Sequence, residues 1–217
     1  MPKTTQFKQT HVNNLHLQQK EQFNMRFSIR AFIISLAVTF SSLSMADWSL
    51  QQPSSIHFLT SKNTHTTEIH HFKKFNASVN ASGIAKLTID LASVDTRIGI
   101  RDERMQEHLF ETSRFSQASF EAEIPADVFA KVNAGQQTQF ELKGKISLHG
   151  EQAQAGCQVI ISPNKDKTIT VTSITPMLIA AEDFKLVAGI NKLKEIAGLK
   201  SITYTVPLNF SLSFKAD

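Results

Sequence analysis

Apolar and polar residues alternate along most of this chain, and that alternation limits the possible folds more than any other feature. In residues 139–150, QFELKGKISLHG, every second residue from Phe140 to Leu148 is apolar or glycine, and the residues between them are charged or polar. Successive side chains of a β-strand point to opposite faces, so this pattern predicts a strand with one buried and one hydrated face. Residues 206–214, VPLNFSLSF, repeat the pattern from Val206 to Phe214.

Further strand-like segments cover most of the chain from Trp48 onward. They are residues 55–62, 65–76, 83–91 and 115–124, together with a hairpin over 157–174 whose turn is SPNKDK. The Pro, Asn and Asp of that turn are typical turn residues. About eight antiparallel strands predict an all-β fold, either a closed barrel or a sandwich. We favour the closed antiparallel β-barrel, because closure leaves no exposed strand edge.

Only two segments favour short helices. The first is the densely charged stretch 93–110, SVDTRIGIRDERMQEHLF, where Asp102 is predicted to cap a helix that presents Met105 and Leu109 on one face. In that helix Arg104, placed on the exposed side, is predicted to pair with Glu107. The second is residues 180–201, where apolar residues recur at helical spacing and Gly198 offers a C-terminal cap.

The first 46 residues have the pattern of an export signal rather than of a folded domain. Arg26 and Arg30 precede the uncharged run AFIISLAVTFSSLSMA, which ends in small residues at Ala46. This pattern predicts a signal peptide over residues 25–46 with cleavage after Ala46, and therefore a periplasmic protein. An uncleaved anchor is the alternative. Residues 1–24 either precede the true start or form a long n-region, and residues 47–217 are predicted to form one domain.

The positive charge of the chain is confined to this leader. Residues 1–46 hold five basic side chains and one acidic side chain, which accounts for the whole net charge of +4. A neutral mature domain lacks the basic surface that nucleic acids require, so no nucleic-acid partner is predicted. Cys157 is the one cysteine of the sequence, so no intrachain disulfide can form.

No motif in the sequence identifies an enzyme. GxSxG, Walker and GxGxxG patterns are absent, and the histidines from His57 to His149 match no usual zinc spacing. We therefore predict no catalytic residues, no metal and no cofactor, with a secreted hydrolase that uses an unrecognised Ser or His site as the alternative. The sixteen phenylalanines leave two further possibilities open, since the rings either fill the barrel or surround a cavity for one ligand.

Several segments of the chain together form a recognisable pattern over residues 47–217. They are DWSLQQPSSIHF, FKKF, LTIDLASVDT, RDERMQEHLFETSRFSQASFEAEI and the closing TPMLIAAEDFKLVAGINKLKEIAGLKSITYTVPLNFSLSF. This pattern resembles the YceI-like family of lipid-binding proteins. The sequence departs from the family at His70, Ala77 and Arg97, positions where the family often has glycine. The resemblance implies a lipocalin-like barrel, exported to the periplasm, whose apolar cavity binds a polyisoprenoid or similar lipid without catalysis.

On this interpretation the ligand is a long-chain lipid such as a polyisoprenoid, an isoprenoid quinone or a fatty-acid derivative. Other possible partners are a membrane-associated donor or acceptor of the lipid and a second copy of the chain in a homodimer. The alternative to lipid binding is a solid barrel that acts as a structural or partner-binding protein. Asp95, Arg101 and Asp102 are predicted to form a polar network that holds the first helix across one barrel end, the alternative being a solvated loop. The predicted cavity-lining residues are Phe58, Ile69, Leu87, Ile89, Met105, Leu109, Phe120, Phe140, Leu142, Ile146, Phe184 and Phe210.

Overall fold

The computed structural model describes residues 47–217, so the predicted signal peptide and the residues before it lie outside the described part of the chain. Eleven strands, all paired antiparallel, form the described domain. They are β1 (Trp48–Lys62), β2 (Thr66–Phe72), β3 (Phe75–Val79), β4 (Ile84–Asp90), β5 (Val94–Asp95), β6 (Gln117–Glu123), β7 (Thr138–Leu148), β8 (Glu151–Pro163), β9 (Thr168–Ser173), β10 (Met177–Ala180) and β11 (Thr205–Ala216).

The sheet closes on itself into a barrel. Eight strands form the ring in the order β1, β3, β4, β6, β7, β8, β9 and β11, and the pairing of β11 with β1 closes it. The predicted strand over residues 65–76 is interrupted, so that β3 pairs with the start of β1 and β2 pairs with its end. The prediction of an all-β, closed antiparallel barrel is therefore confirmed.

The alternation seen in the sequence determines which side chains face the barrel interior. In β11 the buried residues Phe210, Leu212 and Phe214 alternate with partly exposed serines.

In the β7–β8 hairpin, Leu148 pairs with Glu151 across His149 and Gly150. Both turn residues have positive φ values, 52° and 80°, the geometry of the two-residue turns that match the twist of hairpin strands.

Three short helices accompany the barrel. They are α1 (Gly99–Arg104), α2 (Ala126–Asn133) and α3 (Val187–Ile196). A π-helical turn, Met105–Leu109, continues α1, and the amide of Phe110 donates to the carbonyl of Met105. Helix α2 was not anticipated from the sequence, and it buries Val128 and Val132 against the barrel. Within residues 47–217 no helix has the length and apolar character needed to cross a membrane.

The structure corrects the predicted start of the first helix. Ile98 is the N-cap residue, so Asp102 lies inside α1 and does not cap it. Arg104 makes no ion pair with Glu107 within the described residues, where the nearest partner of Glu107 is His108. The C-terminal cap of α3 follows the prediction, because Gly198 adopts φ 61° and its amide donates to the carbonyl of Glu195.

We refer to α1, the π-helical turn and α3 together as the lid. A Cβ on Gly189 of α3 would lie 2.5 Å from the carbonyl oxygen of His108 and 2.8 Å from Cα of Leu109. Only a residue without a side chain allows the two helical segments to approach so closely. The lid segments therefore pack on each other backbone to backbone across one end of the barrel.

Candidate functional site

An apolar cavity of about 520 Å³ lies inside the barrel. Its volume is within the roughly 300–1,000 Å³ that is typical of small-molecule sites. Aliphatic and aromatic side chains from every strand of the ring form most of its wall. The barrel is therefore not solid.

The two ends of the cavity differ in chemistry. At one end α2 contributes Val128, Phe129 and Val132 beside the start of β7. At the other end, where β1 finishes and β2 begins, the lid covers the cavity, and polar or charged side chains of β1, β2 and α1 line it. We call this second region the polar end, and its residues are Thr60, Lys62, Glu68, His70, Arg101 and Arg104.

Ten of the twelve residues predicted to line a cavity do so. Among them, Met105 and Leu109 reach the cavity from the lid, as the spacing of the first helix predicted. The remaining eight lie on barrel strands and face inward. These are Phe58, Leu87, Ile89, Phe120, Phe140, Leu142, Ile146 and Phe210.

The other two predicted lining residues lie elsewhere. Ile69 is 51% exposed and lies on the outer face of β2, because its neighbour His70 faces inward. Phe184 is buried, but in a short 3₁₀ helix, Ala181–Phe184, and it does not line the cavity. Both residues were assigned from local apolar character, which does not distinguish the two faces of a strand from each other.

His70 is the most deeply buried residue of the polar end. Its exposed fraction is 3%, and its Nε2 lies 2.9 Å from Oγ1 of Thr60 on the neighbouring strand. Burial, followed by the positive charge of Arg101, lowers the pKa of His70 to about 4. The imidazole is therefore neutral near neutral pH. Its Nδ1 has no hydrogen-bond partner among the described residues.

Glu68 is shared by two cations at the polar end. Lys62 Nζ and Arg101 Nη1 both lie 2.9 Å from its Oε2. The hydrogen bond from Lys62 is the main reason that the pKa of Glu68 lies below its usual value. Burial opposes this effect, and the charges of Arg101 and Lys62 add to it. One carboxylate thus neutralises only one of the two cations.

Arg101 and Asp102 anchor the lid through Thr96. Arg101 Nη2 donates to the carbonyl oxygen of Thr96 over 2.7 Å. The Asp102 carboxylate accepts from the backbone amide of Thr96 at 2.8 Å and also from its hydroxyl. The predicted network is therefore present for these two residues, although Glu68 rather than a nearby aspartate pairs with the guanidinium.

Asp95 is not a member of this network. Its carboxylate pairs with Lys73 over 3.0 Å and accepts from the backbone amide of Arg97 over 2.9 Å. Arg97 has φ 65°, in the left-handed region that favours glycine. The Asp95 contact thus supports a turn on the outside of the barrel.

The sequence interpretation placed Arg104 on the exposed side of the first helix, and the structure shows that this placement is wrong. The side chain is partly buried and lines the cavity. Arg104 follows Arg101 by three residues on α1, so the two lie on one side of the helix, and both line the cavity with Met105. Within residues 47–217 the Arg104 guanidinium makes neither an ion pair nor a side-chain hydrogen bond.

Sequence reasoning missed the polar end almost entirely. His70 was noted among the histidines and as a departure from the family's glycine, but it was not assigned to the cavity, although its period-two relation to Phe72 could have placed it inside the barrel. Thr60, Lys62 and Glu68 gave no comparable signal, because strand pairing alone brings them beside a helix more than thirty residues away.

The remaining histidines and Cys157 do not form a metal-binding or reactive site among the described residues. No cluster of three or more potential metal ligands occurs among residues 47–217, where His57 and His71 form an outward-facing cross-strand pair. Cys157 is buried in β8, and burial raises the pKa of its thiol to about 11. A thiol in that environment stays protonated and unreactive.

Comparison with known proteins gives a consistent result. The YceI-like domain matches residues 48–214. A polyisoprenoid binding domain from Saccharophagus degradans, implicated in plant cell wall breakdown, is 33% identical with a TM-score of 0.74. The match covers 78% of this chain and 98% of that one. No curated protein matches the chain.

Two more distant structures share the fold. BcnA of Burkholderia cenocepacia is 23% identical with a TM-score of 0.58, over 74% of this chain and 95% of that one. The Campylobacter jejuni YceI protein is 18% identical with a TM-score of 0.50, over 66% of this chain and 82% of that one. At these identities the likeness concerns the barrel architecture alone.

Proposed function

Because this chain belongs to the YceI-like domain family, we propose that it is a periplasmic, non-enzymatic protein that binds a long-chain lipid inside its barrel. The observation that carries the proposal is the apolar cavity of about 520 Å³, which runs the length of the barrel beneath the lid. The Saccharophagus degradans relative, described as a polyisoprenoid binding domain, supports an isoprenoid chain as the ligand.

The shape of the cavity favours a long chain over a compact ligand. Residues from Phe140 to Leu148 of β7 line it, a distance of roughly 26 Å along the strand at about 3.3 Å per residue. Flexible apolar side chains such as Met105 can repack around a kinked or branched chain. A polyisoprenoid, an isoprenoid quinone and a fatty-acid derivative all fit this description.

Lipid extraction of the purified protein tests the proposal. The protein is purified from a periplasmic fraction, extracted with organic solvent, and the extract is analysed by mass spectrometry. We expect stoichiometric amounts of one lipid class, and an N-terminus at Asp47 after removal of the leader. A lipid-free protein that also fails to take up added isoprenoid while remaining folded would refute the binding function.

A further inference from the structure

The polarity of the cavity wall is concentrated at the polar end. Lys86 is the one other charged residue of the lining, and it is 61% exposed and paired with Glu121. A long-chain lipid in this cavity would place its apolar chain against the wall and its head group at the polar end. The charges there consequently decide which head groups fit.

Those charges do not balance. Lys62, Arg101 and Arg104 line the polar end, and Glu68 is the one carboxylate that lines it with them. His70 is neutral, because burial and Arg101 hold its pKa at about 4. The lining of the polar end therefore carries an excess of positive charge.

Neighbouring carboxylates do not compensate for Arg104. The Asp102 carboxylate is occupied by the amide and hydroxyl of Thr96. Glu103 and Glu107 are exposed, and neither contacts Arg104 in the described part of the chain. A cation at the edge of an apolar cavity is unfavourable unless an anion or hydrogen-bond acceptor joins it.

Two buried nitrogen atoms add to this demand. Nδ1 of His70 and Nε of Arg101 lack hydrogen-bond partners among residues 47–217, and both side chains line the cavity. Buried polar atoms are rarely left unpaired, and such an atom calls for an explanation such as an absent ligand. An oxygen-rich group at the polar end, reached by small side-chain adjustments, would supply the acceptor for Nε of Arg101. It would do the same for Nδ1 of His70 in the tautomer in which Nε2 accepts from the hydroxyl of Thr60.

We propose that the polar end binds the anionic head group of the lipid, a carboxylate or a phosphate, with Arg104 as the principal cation and Arg101 and Lys62 as its supports. This inference rests on the proposed lipid-binding function and specifies the ligand class. It favours fatty acids and polyprenyl phosphates over neutral quinones and alcohols. Arginine is well suited to the task because its planar fork matches both oxyanions.

Paired probes that differ only in charge test this inference. Purified protein freed of lipid is titrated with cis-parinaric acid and with its uncharged methyl ester, and binding is followed by fluorescence. Geranylgeranyl phosphate and geranylgeraniol, measured by displacement of the bound methyl ester, form the second pair and distinguish phosphate from carboxylate. We expect each anion to bind about tenfold more tightly than its neutral partner, equivalent to ~1.4 kcal/mol, and this preference to shrink at high salt.

Two variants and one control assign the preference to the polar end. Arg104→Gln should bring the two affinities close together, chiefly by weakening binding of the anion. Glu68→Gln removes the carboxylate that competes for Arg101 and Lys62, so it should increase the preference for the anion. Arg114→Gln, on an exposed arginine outside the cavity that pairs with Glu111, should change neither affinity.

The outcomes separate this inference from the proposed function. Equal affinities for the charged and neutral probes of both pairs would overturn the inference and leave lipid binding intact. An Arg104→Gln protein that keeps the full preference would also overturn it. Absence of binding by every probe would refute the lipid-binding function itself.

Discussion

The apolar wall of the cavity and its polar end are adjacent regions of the same two strands, yet they are stabilised differently. In β1 and β2 the rings of Phe58 and Phe72 pack 5.2 Å apart. Beyond them, towards the end of β1 and the start of β2, Thr60 and Glu68 form hydrogen bonds to His70 and Arg101. The wall depends on close packing and the polar end on hydrogen bonds and charge, which predicts different responses to mutation, pH and ligand charge.

The largest effect is expected from a substitution in the wall. A Cβ on Gly144 would lie 2.6 Å from the ring of Phe120 and would overlap the carbonyl oxygen of Glu121. Gly144→Ala should therefore lower the free energy of unfolding by about 3 kcal/mol, measured by urea denaturation. Gly99→Ala is the control, since nothing lies within 4 Å of its added Cβ. A mild effect of Gly144→Ala would mean that the wall is loosely packed.

The next effect concerns pH and the polar end. The folded barrel lowers the pKa of His70 from 6.5 to about 4. The unfolded chain therefore binds a proton in that window that the folded chain does not, and stability should fall as the pH decreases through it. The full shift sets an upper bound of about 3 kcal/mol on the loss.

Two histidine variants isolate this contribution in denaturation curves at several pH values. His70→Gln should show a shallower loss of stability between pH 6.5 and about 4 than the unmodified protein. His65→Gln, at an exposed turn, should follow the unmodified protein. Parallel curves for all three proteins would show that His70 does not titrate abnormally.

The lid anchor should respond more moderately. Arg101→Ala leaves Glu68 with only Lys62 and removes the donor to the Thr96 carbonyl, so we expect a loss of about 2 kcal/mol. Arg114→Ala, an exposed arginine, should stay within about 0.5 kcal/mol. Denaturation of both variants, together with release of a bound fluorescent lipid, measures the effect. If the two arginines behaved alike, Arg101 would not anchor the lid.

Arg104 should show the smallest effect on stability. It makes no ion pair within the described residues, so Arg104→Ala should lower the free energy of unfolding by no more than about 0.5 kcal/mol. Its role is expected in ligand binding instead. A large destabilisation would reveal a structural contact and would contradict its assignment as a free cation at the cavity.

The same contrast explains which features the sequence could predict. The wall follows from period-two alternation, so the strands β7 and β11 and the eight correctly predicted lining residues on strands were predictable. Composition could not decide between a filled barrel and a hollow one, because the same apolar residues serve either. Only the three-dimensional packing shows that they leave a cavity.

The polar end depends on contacts that local patterns do not encode. Arg101 meets Glu68 from a distant segment, and Arg104, three residues further along α1, lines the cavity with it. The sequence interpretation treated the Met105–Leu109 face as the whole inward side of the helix, which left Arg104 on the outside. Ile69 was misassigned for a related reason, since the alternation Ile69–His70 was read with the apolar residue inside.

Native mass spectrometry of cavity-filled and control variants tests the central claim, lipid binding within the barrel, most directly. Ile146 lines the cavity, so Ile146→Trp should fill part of it while remaining apolar, whereas Leu178→Trp changes an exposed position. We expect bound lipid mass on the unmodified protein and on Leu178→Trp, and a marked loss of it on folded Ile146→Trp. Equal lipid occupancy in all three folded proteins would contradict binding inside the barrel.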